Sequence, residues 1–136
     1  MPEKKQKMKL SYLIAAIIFT LLIIYLSSLP SGTLPGNGSA TEQVLSNLAH
    51  IPAFALITFL WLRAFMVKAR QSKKALIYMV IIAGLCAFAV SDEIHQSYVP
   101  GRFASVTDFL LDVIGIVIGM VAIRFMGKPA EEQTGT

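Results

Sequence analysis

Charge is scarce in this chain. Asp, Glu, Lys and Arg together make up only 15% of its 136 residues, against roughly 25% in an ordinary water-soluble domain. Apolar residues take up the difference at 55%, and the mean hydropathy is +0.66. Too few polar residues remain to cover the surface of a soluble domain, which excludes that class. Cysteine is limited to Cys86, so no intramolecular disulfide can form and cysteine usage carries no information on redox compartment. In its apolar surroundings Cys86 reads as a small buried residue. A net charge of +4 and a pI near 9.4 would suit a nucleic-acid partner, but the basic residues do not form a patch interleaved with aromatics, and that partner is excluded.

The apolar residues are gathered into four runs, Leu10–Leu29, Ala49–Val67, Ala75–Val90 and Val106–Met126. Each approaches the roughly 20 residues that a helix needs to cross a hydrocarbon core about 30 Å thick. The third run is expected to stay helical to about Ser97. The sequence therefore predicts an all-α polytopic membrane protein, with four transmembrane helices in one domain over residues 1–136.

The distribution of Lys and Arg predicts the orientation, because basic flanks resist translocation. Of the twelve, only Arg102 lies on the side of the Pro30–Ser46 loop and the Ser91–Thr107 segment. Lys4, Lys5, Lys7, Lys9, Arg63, Lys68, Arg70, Lys73, Lys74, Arg124 and Lys128 flank the other side. Both termini are thus expected inside, and an acidic outer rim faces a basic inner one. A cleaved signal peptide is the competing reading of the first run. Its apolar core exceeds the usual 7–15 residues, and YLSSLPSG is a poor cleavage site.

The outer loop PSGTLPGNGSATEQ reads as a flexible connector, with Thr41 capping a short helix over Glu42–Asn47 and a glycosylation sequon in form at Asn37. Pro52 is expected in the first turn of the second membrane helix. Val99-Pro100-Gly101-Arg102 reads as a turn. Ser105 to Asp108 has the form of a capping box opening the fourth helix. The tail from Pro129 is short and polar.

Polar residues converge at the outer ends of the helices. Asn47 and His50 stand one turn apart on helix two; Asp92, Glu93, His95 and Gln96 end helix three; Arg102, Asp108 and Asp112 precede or open helix four. At about 100° per residue, Asp108, Asp112, Gly115 and Gly119 fall within a stripe about 60° wide. Gly115-x-x-x-Gly119 permits close approach of a neighbouring helix, so both carboxylates should point into the bundle, Asp112 about 6 Å deeper than Asp108. Ionisable groups at that depth are by default paired and functional. Arg102 or His50 is the expected partner of a carboxylate, and the acids left in excess would favour a cation, a proton or a ligand's ammonium group. Blander readings exist for each: Asp108 as a helix cap, Arg102 as an interfacial anchor, His50 as an interfacial residue, His95 as one pointing outward, and the glycine pair as a chance motif. The convergence of three segments on one depth favours a site.

SDEIHQSYVPGRFASVTDFLLDVIGIVIG closely resembles the signature of the VanZ-like family of bacterial membrane proteins, through Asp92, Glu93, Gln96, Tyr98, Pro100, Arg102, Asp108, Asp112, Gly115 and Gly119. His50 with Phe54, and Ser27-Ser28-Leu29-Pro30, resemble the family's upstream elements. Asn47 stands where the family commonly has lysine and Asp112 where asparagine is frequent, so this pocket is the more acidic. The resemblance implies a multi-pass protein of the bacterial cytoplasmic membrane, associated with resistance to teicoplanin-type glycopeptide antibiotics.

The residues favour a non-enzymatic cell-envelope protein in contact with the bilayer. Its pocket of His50, Asp92, Glu93, Gln96, Arg102, Asp108 and Asp112 would bind a lipid headgroup, a lipid-linked envelope precursor or a glycopeptide. No cofactor is identified. The alternative is a membrane-embedded enzyme acting on a lipid-linked phosphate, with His50 as base, Arg102 on the phosphate, and Asp92, Glu93 and Asp108 holding a divalent cation such as Mg²⁺ or Ca²⁺. A small transporter is the third reading, opposed by the lack of a polar stripe on helices one and two.

Overall fold

The computed structural model describes residues 10–33, 40–66, 71–102 and 105–126. Among them lie four helices, α1 (Leu10–Ser27), α2 (Ala40–Met66), α3 (Gln71–Gln96) and α4 (Val106–Met126), and no strand. Each contains a stretch long and apolar enough to cross a membrane. The 18 residues of α1 alone rise about 27 Å. The large apolar side chains left at the surface, among them Ile14, Ile18, Leu21, Met79, Val80, Leu110 and Val117, would be an aggregation hazard in water and are what a lipid-facing surface requires.

The predicted limits hold for α4 and shift elsewhere. α1 stops at Ser27 rather than Leu29, because the residue before Pro30 is pushed out of the helical region. α2 begins at Ala40 and runs unbroken past Pro52, so the short separate helix at Glu42–Asn47 and the first-turn placement of Pro52 are both corrected. Pro52 cannot donate to the carbonyl of Leu48, but its ring is exposed, and membrane helices tolerate such an interruption. α3 starts at Gln71, a polar first turn that apolar patterning could not reveal. The sequon at Asn37, the basic residues Lys4 to Lys9, Lys68, Arg70 and Lys128, and the tail from Pro129 lie outside the described residues.

α4 lies against α2 through its glycines. A Cβ on Gly115 would stand 2.5 Å from the Ile51 carbonyl oxygen, and one on Gly119 would stand 2.5 Å from that of Ala55. Such distances leave no room for a side chain, so the two backbones touch. Beside this seam a core of Phe54, Ile57, Leu85, Ala89 and Ile116 is closed by Ile23 from α1. α1 contributes little else to the interior; only Ala16, Ile23 and Ser27 are buried in it.

The predicted turn at 99–102 forms, with Arg102 N–H donating to the Val99 carbonyl at 3.1 Å and Gly101 at φ 77°. That left-handed value is open to glycine and strained for other residues. The turn abuts the end of α1, where the Ser31 N–H donates to the Pro100 carbonyl at 3.3 Å.

Candidate functional site

All four helices end in polar side chains at the end that carries the turn. The stripe on α4 is realised: Asp108, Asp112, Gly115 and Gly119 are all buried. The glycines bring α4 so close to α2 that Asp112, one turn before Gly115, meets His50, one residue before Ile51. His50 Nδ1 and Asp112 Oδ1 are 2.8 Å apart, with Asp112 fully buried and the His50 side chain 13% exposed. The imidazole also stacks on Phe54, with ring centroids 6.4 Å apart and planes 5° from parallel. Among the described residues no other basic side chain comes within 4 Å of a carboxylate.

Glu93 reaches the same place from α3. Its Oε2 accepts the Ser105 N–H at 2.9 Å. The capping box is thereby remade across two helices. Ser105 Oγ accepts the Thr107 N–H at 3.1 Å, as an N-cap should. The reciprocal bond to the Ser105 amide, however, comes from Glu93 instead of Asp108. Asp108 is left to face the bundle and is not simply a cap. Three carboxylate oxygens then stand buried without a hydrogen-bond partner: Glu93 Oε1, Asp108 Oδ1 and Asp112 Oδ2. A buried acceptor left unsatisfied costs roughly 1–3 kcal/mol, and more when charged.

Asp92, Gln96 and Arg102 belong to a different set of contacts. Asp92 Oδ2 accepts from Ser27 Oγ at 2.9 Å and from Gln96 Nε2 at 2.8 Å. Arg102 does not pair with Asp108 or Asp112. Its Nε donates to the Leu29 carbonyl at 2.9 Å, an NH2 nitrogen to the Leu26 carbonyl at 3.1 Å, and NH1 reaches Gln96 Oε1 at 3.5 Å. The last carbonyls of a helix have no partner within it, and the forked guanidinium gathers one of them, that of Leu26 in α1, together with that of Leu29 just beyond it. His95 lies outside this cluster, exposed and 2.9 Å from Ser28 Oγ. Ser27, buried at 5% exposure, is the residue the sequence reading missed as a participant. A serine ending an apolar run at the depth of Asp92 is the signal that could have found it.

The predicted residues thus divide. His50, Glu93 and Asp112 come together, each offering one ligand atom within 4.8 Å of the others, with Asp108 one turn from Asp112 on the same face. Asp92, expected as a metal ligand, is engaged by Ser27 and Gln96 instead. Beneath the site the inward face of α2 continues as Phe54, Ile57, Thr58 and Leu62, in which only Thr58 is polar.

A model of the VanZ/LLP1 family matches residues 9–127, nearly the whole chain. Neither a curated protein nor a solved structure matches it.

Proposed function

Because the chain belongs to the VanZ/LLP1 family and folds as four membrane-length helices, we propose that it is a bacterial cell-envelope protein of the cytoplasmic membrane. In this reading both termini are cytoplasmic and the buried acidic site lies at the outer leaflet. There it binds the polar head of an envelope lipid precursor or of a teicoplanin-type glycopeptide. One observation carries the proposal: Glu93 Oε1, Asp108 Oδ1 and Asp112 Oδ2 are buried without partners around a histidine that still reaches the surface. Such a site is costly to maintain empty, and a ligand that brings hydrogen-bond donors or positive charge completes it. The apolar face of α2 beneath the site supports binding over transport.

The binding experiment uses purified protein in nanodiscs, titrated with labelled teicoplanin and, separately, with an amine-bearing lipid-linked peptidoglycan precursor. Saturable binding of either, lost in Asp108→Asn and accompanied by altered glycopeptide susceptibility in a complemented strain, is the expected result. Absence of binding to both, with susceptibility unchanged on deletion, overturns the reading. The orientation is checked separately. A reporter active only in the cytoplasm should work when fused after Ala69 and fail after Gly36; the reverse pattern would move the site to the cytoplasmic side.

A further inference from the structure

The geometry points to a metal site formed by His50, Glu93 and Asp112, selective for a borderline divalent ion such as Zn²⁺ over Mn²⁺, Mg²⁺ and Ca²⁺. The inference deepens the binding reading above by naming what occupies the same site, and it rests on that reading only for its physiological purpose.

Carboxylates alone would not carry it. The first independent observation is that Glu93, 7% exposed, and Asp112, fully buried, each hold an oxygen that meets no donor in the protein. Those residues converge with His50 from three different helices. Their ligand atoms lie within 4.8 Å of one another. Ligands of one tetrahedral ion at bond lengths of about 2.0–2.2 Å stand about 3.3–3.6 Å apart, so closing the widest pair needs a shift of roughly 1 Å. The His50 Nδ1 and Asp112 Oδ1 atoms, 2.8 Å apart as a hydrogen-bonded pair, would need to part by only about half an ångström to bind one tetrahedral ion. A proton would satisfy one orphaned oxygen; a dication satisfies several at once.

The donor set decides the kind of ion. One imidazole nitrogen with two carboxylates favours the borderline metals, whereas Mg²⁺ and Ca²⁺ prefer oxygen alone. That is a change from the expected Asp92, Glu93 and Asp108, which would have held a hard cation. Three protein ligands leave coordination positions open, and the partial exposure of His50 provides access to them. The cap on Ser105 leaves Glu93 only Oε1 to give, so it serves as a one-oxygen ligand.

The test takes full-length protein in detergent, stripped with EDTA and titrated with ZnCl₂, MnCl₂ and CaCl₂ by calorimetry, with bound metal measured by mass spectrometry. One Zn²⁺ per chain is expected, with Mn²⁺ weaker and Ca²⁺ weakest. His50→Gln and Glu93→Gln should lower affinity by about 100-fold or more, the upper end of what loss of even an outer partner causes. Glutamine at 93 keeps an oxygen for the Ser105 amide, so the helix start survives. Asp92→Asn removes the same charge from the same end and should cost less than about tenfold, which separates coordination from general attraction. A wild-type chain that binds none of the three ions overturns the proposal regardless of how the variants fold. Binding unmoved by His50→Gln, binding lost equally in Asp92→Asn, or preference for Ca²⁺ does the same. Repeating the teicoplanin and precursor titrations after stripping keeps the two readings apart. Ligand bound by a chain that takes no metal sinks only this inference, and metal bound by a chain that takes no ligand sinks only the former.

Discussion

The polar side chains at this end of the bundle divide between two networks that share a depth and little else. Around Asp92, no buried side-chain polar atom lacks a partner among the described residues: Ser27 and Gln96 both donate to Oδ2, and Arg102 reaches the Leu26 and Leu29 carbonyls past the end of α1. Around His50, three buried carboxylate oxygens have none. The saturated network fastens α1 to α3 and to the turn, where apolar packing is thin. The unsaturated one sits on the α2–α4 seam, where backbones touch at Gly115 and Gly119 and no polar fastening is needed.

The strongest break in that comparison comes from the seam itself. Gly119→Leu sets a side chain against the Ala55 carbonyl, a backbone atom that cannot swing aside. It should cost at least about 3 kcal/mol, the top of the range for overpacking. His50 would then part from Asp112 while the Asp92 network stays closed. Thermal unfolding in detergent reads the effect, and an unchanged melting temperature would show that the seam does not bear the fold.

Arg102→Ala should be next, at about 2 kcal/mol, for lost hydrogen bonds from a charged donor. Arg102→Lys should recover part of that stability, since an ammonium reaches one carbonyl but cannot fork across two. Ligand binding should survive in Arg102→Lys. Its loss in a protein as stable as the parent would place Arg102 in the site after all.

The two carboxylate substitutions sharpen the contrast by opposite signs. Asp92→Asn removes a carboxylate whose Oδ2 accepts two hydrogen bonds and should lower stability by about 1–2 kcal/mol. Asp108→Asn removes one whose buried Oδ1 accepts none, and should raise stability by about 0.5–2 kcal/mol while abolishing binding, the usual trade at a functional position. Melting temperatures of the two variants side by side provide the check. A loss of similar size in both would mean the networks do not differ.

Much of the fold could be read from residue order because a bilayer sets helix length so firmly. The 106–126 helix and its buried stripe followed from length and angular spacing alone. The start of α2 did not: ATEQVLSN has no apolar periodicity, and a proline twelve residues in argues against one continuous helix until lipid-tolerant geometry is allowed for. For the site, the pairing of His50 with Asp112 was among the expected outcomes, whereas the partners of Arg102 were not. Side-chain patterns point to other side chains, and the carbonyls near a helix end belong to the backbone, with no residue type to announce them. The cap of Glu93 on Ser105 was hidden for the same reason.

That cap joins two jobs in one functional group. Glu93 holds the amide of Ser105, the residue that caps the fourth helix, with Oε2 and leaves Oε1 buried without a partner, so the carboxylate cannot be gripped on one side without being steadied on the other. Filling the site immobilises the acceptor on which the Ser105 amide closes, and opening of that helix start becomes rarer. Hydrogen exchange at Ser105 should slow when the site is occupied, and with Glu93→Gln the slowing should vanish. Such slowing would be a gauge of occupancy that needs no label on the ligand.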